Sequence, residues 1–297
     1  MNTLREVIQQ AQKDKVAIGH FNVSTLEMCT AVITAAKETQ HPVIIGVSVG
    51  ERDHIGIQNI VQIVKRAREE GVPVYLNADH TYSFERVAEA IDAGFDAVIY
   101  DGAKLSYAEN VRITKRCTEY ASVYKAKTGK DVLVEAELGY IGQSSQILDR
   151  VPDGVDLEKG LTTPSMAKEF IAATGIDLFA PAVGNIHGMI LRVPDPPLRI
   201  DMVAGIAQTV KTPLVLHGGS GNTDEDFINA IKAGVCIVHI STELRLAYRQ
   251  GLEAGLIKAP HEMAPYKYMK EAIASMQEHV VKRIHLFAST AHVIDRI

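Results

Sequence analysis

Three histidines, His80, His187 and His217, each stand where an apolar run gives way to polar residues. Imidazole is the commonest metal ligand at neutral pH, and three imidazoles that leave one position open make a catalytic zinc arrangement. Glycine follows two of them directly, at Gly188 and Gly218, so backbone or ligand can approach closely. Asp79 precedes His80, which makes it a candidate general base beside a cation or, in the structural alternative, a partner that orients an imidazole. Neighbours on a strand point to opposite sides, so both can face one site only if the strand end turns. Glu135 and Glu137 alternate and share a strand face. Two like charges buried together demand a metal or an interior Lys or Arg. His54, His261, His279, His285 and His292 show no such placement and read as ordinary surface or core histidines.

A second kind of chemistry lies in Gly218-Gly219-Ser220-Gly221 and in Ser241-Thr242. Backbone NH groups and hydroxyls placed after an apolar run suit a phosphate. Asn22, Ser48 and Asp101 also end apolar runs, and His239 lies within one.

These residues need a scaffold that gathers run ends. Eight short β-rich runs occur: 17–23, 43–48, 74–79, 97–101, 132–138, 178–183, 214–218 and 237–242. Most are almost continuously apolar, as parallel strands buried on both faces are. Amphipathic stretches separate them: 25–39, 57–70, 83–93, 107–127, 163–174, 199–210, 223–233 and 243–254. Ser83, and Thr163 ahead of Pro164, read as helix starts. Gly71, Gly94, Gly129, Gly175, Gly234 and Gly255 read as helix ends. Eight strand–helix units predict an α/β fold, a (β/α)8 TIM barrel over residues 1–297 as a single domain, in preference to a doubly wound open sheet. The tail, 260–289, predicts one more long helix. The polar stretch 139–160 is too long for a plain turn and reads as a loop over the top face.

Composition excludes several function classes. A net charge of −5 supplies no basic surplus for nucleic acid or anionic membrane. Cys29, Cys117 and Cys236 are widely spaced and read as reduced thiols of a cytoplasmic protein. The first fifteen residues read as a charged amphipathic helix rather than a signal core, and no run approaches a membrane span.

The phrases Gly19-His20-Phe21-Asn22-Val23, Ala78-Asp79-His80, Tyr100-Asp101-Gly102, Glu135-Ala136-Glu137-Leu138-Gly139, Gly184-Asn185-Ile186-His187-Gly188, His217-Gly218-Gly219-Ser220-Gly221 and His239-Ile240-Ser241-Thr242-Glu243-Leu244 occur in this order. Together they resemble the class II, metal-dependent fructose-bisphosphate and tagatose-bisphosphate aldolases across almost the whole chain. The resemblance implies one zinc ion per subunit on His80, His187 and His217, with Glu137 as an alternative ligand. It implies that Asp79 is the acid/base on the C4 hydroxyl of a phosphorylated ketose, cleaved reversibly to dihydroxyacetone phosphate and an aldehyde. Phosphate and substrate contacts are expected from Asn22, Ser48, Gly188, Gly218, Gly219, Ser220, His239, Ser241 and Thr242, with a monovalent cation, Na+ or K+, beside the phosphate. A homodimer or homotetramer is expected.

The sequence departs from the family at three places. Gly142-Gln143-Ser144-Ser145-Gln146 lacks the loop carboxylate that moves a proton, for which Asp149, Asp153 and Asp156 are the nearby substitutes. Ile237 and His239 replace a lysine and an asparagine, and Asn77 replaces a histidine. An intact metal cage with an altered substrate-facing shell predicts an aldolase with shifted substrate choice or a slowed proton transfer. The alternatives are a non-catalytic phosphosugar-binding relative and a metal-dependent sugar isomerase or epimerase.

Overall fold

The structure, a computed structural model, describes residues 2–139, 141, 147–148, 160–190 and 195–289. The expected runs become eight parallel strands: β1 Ile18–Asn22, β2 Val43–Val47, β3 Val74–Thr81, β4 Ala97–Tyr100, β5 Leu133–Leu138, β6 Leu178–Pro181, β7 Leu214–Leu216 and β8 Val235–Ile240. They close into a barrel in which β1 lies between β2 and β8 and the rest follow in chain order. Closure leaves no open edge and brings all eight carboxyl ends to one mouth.

The barrel interior is layered. Ile18, Ile44, Tyr75, Leu133 and Leu178 form an apolar floor, and Leu4, Ile8 and Ala11 of the helix Leu4–Asp14 pack against it from below. Period-two alternation then places His20, Asn77 and Glu135 one layer up and Asn22, Asp79 and Glu137 above them, all buried. The opposite strand faces carry the larger apolar cluster, which includes Phe21, Val98, Phe179 and Leu216 and is covered by the outer helices.

Several boundaries differ from expectation for identifiable reasons. A helix, Val49–Ile55, directly follows β2 and carries the buried Glu51 and Arg52. The tail is a four-residue helix, Pro265–Tyr268, followed by the long helix Lys270–Ala288, so residues 260–264 lie outside it. Gly255 does not end a helix: Thr242–Lys258 runs through it. A Cβ at Gly255 would lie 2.2 Å from the carbonyl oxygen of Tyr268, and one at Gly251 would lie 2.5 Å from that of Glu271. Glycine there serves close packing of the C-terminal segment. Gly94, Gly129 and Gly175 do cap helices in the left-handed conformation. Gly71 follows Glu70, which is itself the cap. The three cysteines are buried and free.

Residues 147–148 pair with 189–190 as a small two-stranded parallel sheet. The expected loop residues Gly142 to Gln146, Asp149, Asp153 and Asp156 fall outside the described residues.

Candidate active site

The three histidines converge. The ring centres of His80 and His187 are 4.6 Å apart, those of His80 and His217 5.0 Å, and those of His187 and His217 5.8 Å. The rings are nearly perpendicular, at 75°, 85° and 86°, so none is stacked on another. One ligand atom from each, together with a Glu137 oxygen, forms a group lying within 4.8 Å of one another.

Each imidazole is aimed by its own element. His80 sits at a register shift between Ala78 and Thr81 and takes a φ of 34°, a left-handed conformation rare for histidine. That bend lets Asp79 and His80 face the same cavity although they are chain neighbours. His80 Nδ1 then donates to Asp101 Oδ2 at 2.9 Å, which leaves Nε2 for a ligand. His217 gives Nε2 to Glu135 Oε1 at 2.7 Å, which leaves Nδ1. Carboxylates that hold the second ring nitrogen fix tautomer and orientation in metal-ligating histidines. The backbone NH of His187 donates to Ile141 at 2.7 Å.

The paired glutamates therefore have separate tasks. Glu135 orients His217, while Glu137 lies 4.0 Å from His80 and 3.9 Å from His187. Among the described residues no Lys or Arg pairs with either. Burial, then Asp101, pushes Glu137 up to about 7. Burial opposes charge on His80, but Asp79, the bond to Asp101 and Glu137 outweigh it and raise it to about 10. Burial and the neighbouring His80 and His217 hold His187 well below its usual value. His187 Nε2, His217 Nδ1 and Glu137 Oε2 are buried without any hydrogen-bond partner. Each such atom costs about 1–3 kcal/mol unless satisfied. Two imidazole nitrogens and a carboxylate oxygen left bare at one point fit a divalent cation.

Beside this group, Asp79 is 3% exposed. Burial opposes its ionisation, but His80, His239 and His20 outweigh that and hold the carboxyl well below the usual range. Asn22 Nδ2 donates to Asp79 Oδ2 at 2.9 Å, while Oδ1 has no hydrogen bond and lies 3.4 Å from His239 Nδ1. His239 is stacked between His20, at 3.4 Å and 3°, and His217, at 3.9 Å and 30°. Asn77 Nδ2 contacts His20 Nε2 at 3.2 Å. Its position behind the stack makes Asn77 a support, two layers below the mouth. Parallel rings 3.4 Å apart do not share an in-plane ligand, so the trio His20, Asp79 and His239 does not make a second metal cage.

The glycine-serine turn meets the start of the next helix. Gly218 and Gly221 have φ of 60° and 97°, and a Cβ at Gly218 would lie 2.3 Å from the Ile186 carbonyl oxygen. Ser220 Oγ accepts from the backbone of Ser241 at 3.2 Å and of Glu243 at 3.3 Å. Ser241 Oγ is buried and unpartnered. One cavity touches this turn, Asn22, Ser48, Asp79, the three clustered histidines, Gly188, His239 and Thr242.

That cavity also includes residues the sequence reading missed: Tyr82, Lys104 and Arg245. Arg245 Nη2 donates to Glu51 Oε1 at 2.7 Å, and Glu51 Oε2 accepts from Asn22 at 3.1 Å and from the Ser48 backbone at 2.7 Å. Arg52, 1% exposed, donates to the Val47 carbonyl at 2.8 Å and to Thr81 Oγ1 at 3.0 Å. The signal for this group was present as S-x-x-E at Ser48–Glu51, a helix-start pattern.

A sequence profile described as "Fructose-bisphosphate aldolase class-II" matches residues 2–292. A fructose-bisphosphate aldolase of Geobacillus stearothermophilus is 34% identical over 292 residues, 97% of each chain. A probable fructose-bisphosphate aldolase of Bacillus subtilis (strain 168) is 33% identical, covering 97% of this chain and 98% of that one. Among solved structures, the YdjI aldolase of Escherichia coli K12 superposes with a TM-score of 0.78 at 29% identity over 98% of both chains. A putative fructose-1,6-biphosphate aldolase of Coccidioides immitis gives 0.82 at 28% identity over 97% of both. A match along nearly the whole chain, on a closed eight-stranded barrel, leaves one assignment: the chain belongs to the class II fructose-bisphosphate aldolase family, and it is an aldehyde-lyase.

Proposed function

We propose that this aldolase cleaves a phosphorylated ketose, of the fructose- or tagatose-bisphosphate type, to dihydroxyacetone phosphate and an aldehyde, with zinc as its metal. The observation that carries the reading is the meeting of bare ligand atoms from His187, His217 and Glu137 with an ionised Asp79 in one cavity. His80, His187 and His217 would hold the ion, and Glu137 offers an alternative ligand. A divalent cation there would supply Lewis-acid stabilisation of the negative charge that gathers on the ketose oxygens as the carbon–carbon bond opens.

The protein's own groups do the rest. Asp79 is ionised at neutral pH and takes the proton of the C4 hydroxyl on Oδ1, the oxygen that Asn22 leaves uncovered. The C3–C4 bond then breaks, its electron pair stays with the dihydroxyacetone phosphate fragment, and the C4 carbon leaves as an aldehyde. In the condensation direction Asp79 returns that proton. Gly218, Gly219, Ser220, Ser241 and Thr242 receive the phosphate, and Arg245, one turn into the helix Thr242–Lys258, adds the cationic charge that turn lacks. A monovalent cation, Na+ or K+, would add positive charge beside the phosphate. Asn22, Ser48, Gly188 and His239 line the path between phosphate and metal. His239 faces Asp79 with Nδ1 and has Nε2, which lacks a partner, to offer to substrate hydroxyls.

A screen of phosphorylated ketoses with zinc-loaded protein tests the reading through coupled detection of triose phosphate. Release of dihydroxyacetone phosphate is expected. Tight binding without cleavage would point to a phosphosugar-binding protein, and a product of unchanged carbon number to an isomerase or epimerase. The relatives named aldolases favour cleavage over both.

A further inference from the structure

Glu51 makes more contacts than a helix cap needs. The S-x-x-E pattern at Ser48–Glu51 accounts for one of them, the bond from the Ser48 backbone NH to Glu51 Oε2 at 2.7 Å. Two more come from other parts of the barrel. Asn22 Nδ2, at the end of β1, donates to the same Oε2 at 3.1 Å. Arg245 Nη2, on the helix Thr242–Lys258, donates to Oε1 at 2.7 Å. The carboxylate is buried, and its two oxygens serve different partners.

Both of these partners line the cavity. Arg245 is partly exposed, and Glu51 is the one carboxylate it pairs with among the described residues. A guanidinium carries five NH donors on a rigid plane, so a single nitrogen held on Glu51 fixes that plane and leaves other donors for an anion. Asn22 Nδ2 has two hydrogens. It spends one on Glu51 and the other on Asp79 Oδ2, at 2.9 Å. Both acceptors are carboxylates, so the amide is locked with its nitrogen between them. Asp79 is thereby held by the oxygen opposite its unpartnered Oδ1.

We propose that Glu51 is a positioning residue for both ends of the reaction: through Arg245 it orients a phosphate contact, and through Asn22 it fixes the base Asp79. This rests on the aldolase reading. The two oxygens of Glu51 allow the tasks to be separated. In Glu51→Gln, the amide oxygen can serve the two donors now on Oε2, and the amide nitrogen then faces Arg245, from which it cannot accept. The helix cap and the Asn22 contact survive while the Arg245 anchor is lost. Glu51→Ala loses all three.

Steady-state kinetics of zinc-loaded protein on a phosphorylated ketose that the wild type cleaves test this. KM is expected to rise roughly tenfold in Glu51→Gln with kcat within about twofold of wild type, the pattern of a lost uniform-binding contact. In Glu51→Ala, kcat should fall as well, by about tenfold, because the base is no longer held in place. In an Arg245→Met background, Glu51→Gln should raise KM no further, since both changes break one contact. A residue that only caps a helix would leave Glu51→Gln kinetically like wild type. That result, or an equal KM rise with and without Arg245, overturns the proposal. Glu51→Gln keeps the cap, so it gives this answer even where Glu51→Ala fails to fold. A wild-type kcat in folded Glu51→Ala overturns the link through Asn22. A wild type that cleaves no phosphorylated ketose overturns the aldolase reading itself, and the positioning role with it.

Discussion

At the scale of single residues, the site separates ligands from the groups that aim them. His80 and His217 each spend one nitrogen on a carboxylate, and His217 Nδ1 and Asp79 Oδ1 are buried without partners. Replacing Asp79 by Asn preserves shape and an acceptor for Asn22 but removes the proposed base. It should lower kcat roughly 10²- to 10⁴-fold. Metal analysis should show unchanged zinc, and a variant that cleaves at the wild-type rate would make Asp79 structural. Asp195 offers a prediction about stability. It is buried, accepts from the Ile190 backbone at 2.8 Å on one oxygen, and has no partner on the other. Burial pushes its carboxyl from the usual 3.8 to about 6. A raised acid favours the fold while protonated. Its contribution is therefore complete below about pH 4 and is lost as pH rises through 6. Asp195→Asn escapes the loss, so melting curves should show the variant gaining on wild type between pH 4 and 7. A constant difference across that range would refute the assignment.

Between elements, the C-terminal helix is tied to the helix Thr242–Lys258 by more than apolar contact. Arg283 donates through Nε and Nη2 to the two oxygens of Glu243, each at 2.7 Å, and through Nη1 to Asp224 at 2.8 Å. Both Arg283 and Glu243 are nearly buried, and the Glu243 backbone donates to Ser220 Oγ. Arg283→Met leaves the buried Glu243 carboxylate with only His279 Nε2, 3.4 Å away. It should cost about 3–5 kcal/mol, measured by urea denaturation. Adding Glu243→Gln should recover part of that, because the two sites share one interaction. An equal loss in single and double variants would place the effect elsewhere. Gly251 and Gly255 belong to the same junction, since they let the chain from Tyr268 to Ala272 approach the helix Thr242–Lys258 at backbone distance.

For the molecule as a whole, the barrel closes around groups that repel one another or lack partners. Glu137, Glu135, Asp79 and Asp101 share an interior in which, among the described residues, no Lys or Arg forms an ion pair with any of their carboxylates. Removing divalent metal with a chelator should therefore abolish triose release and lower Tm by several degrees, and zinc should restore both. Loss of activity with an unchanged Tm would separate the catalytic metal from any contribution to stability.

The eight strands were legible because parallel strands buried on both faces read as apolar runs, and the histidines were legible because each ends or interrupts such a run. The glycines at 94, 129 and 175 were legible for a similar reason: a helix end is a local event. Residues whose roles depend on contacts distant in sequence were not. His217 meets Glu135 across 82 positions, and Arg245 meets Glu51 across 194. Which carboxylate orients which imidazole, why Gly255 sits inside a helix, and which cations reach the mouth were decided when the sheet closed. Ring closure juxtaposes strands whose separation along the chain carries no local signature. Periodicity and capping chemistry could thus specify the elements and the run ends that gather at the candidate site, while the pairing of charges inside the barrel belongs to tertiary structure alone.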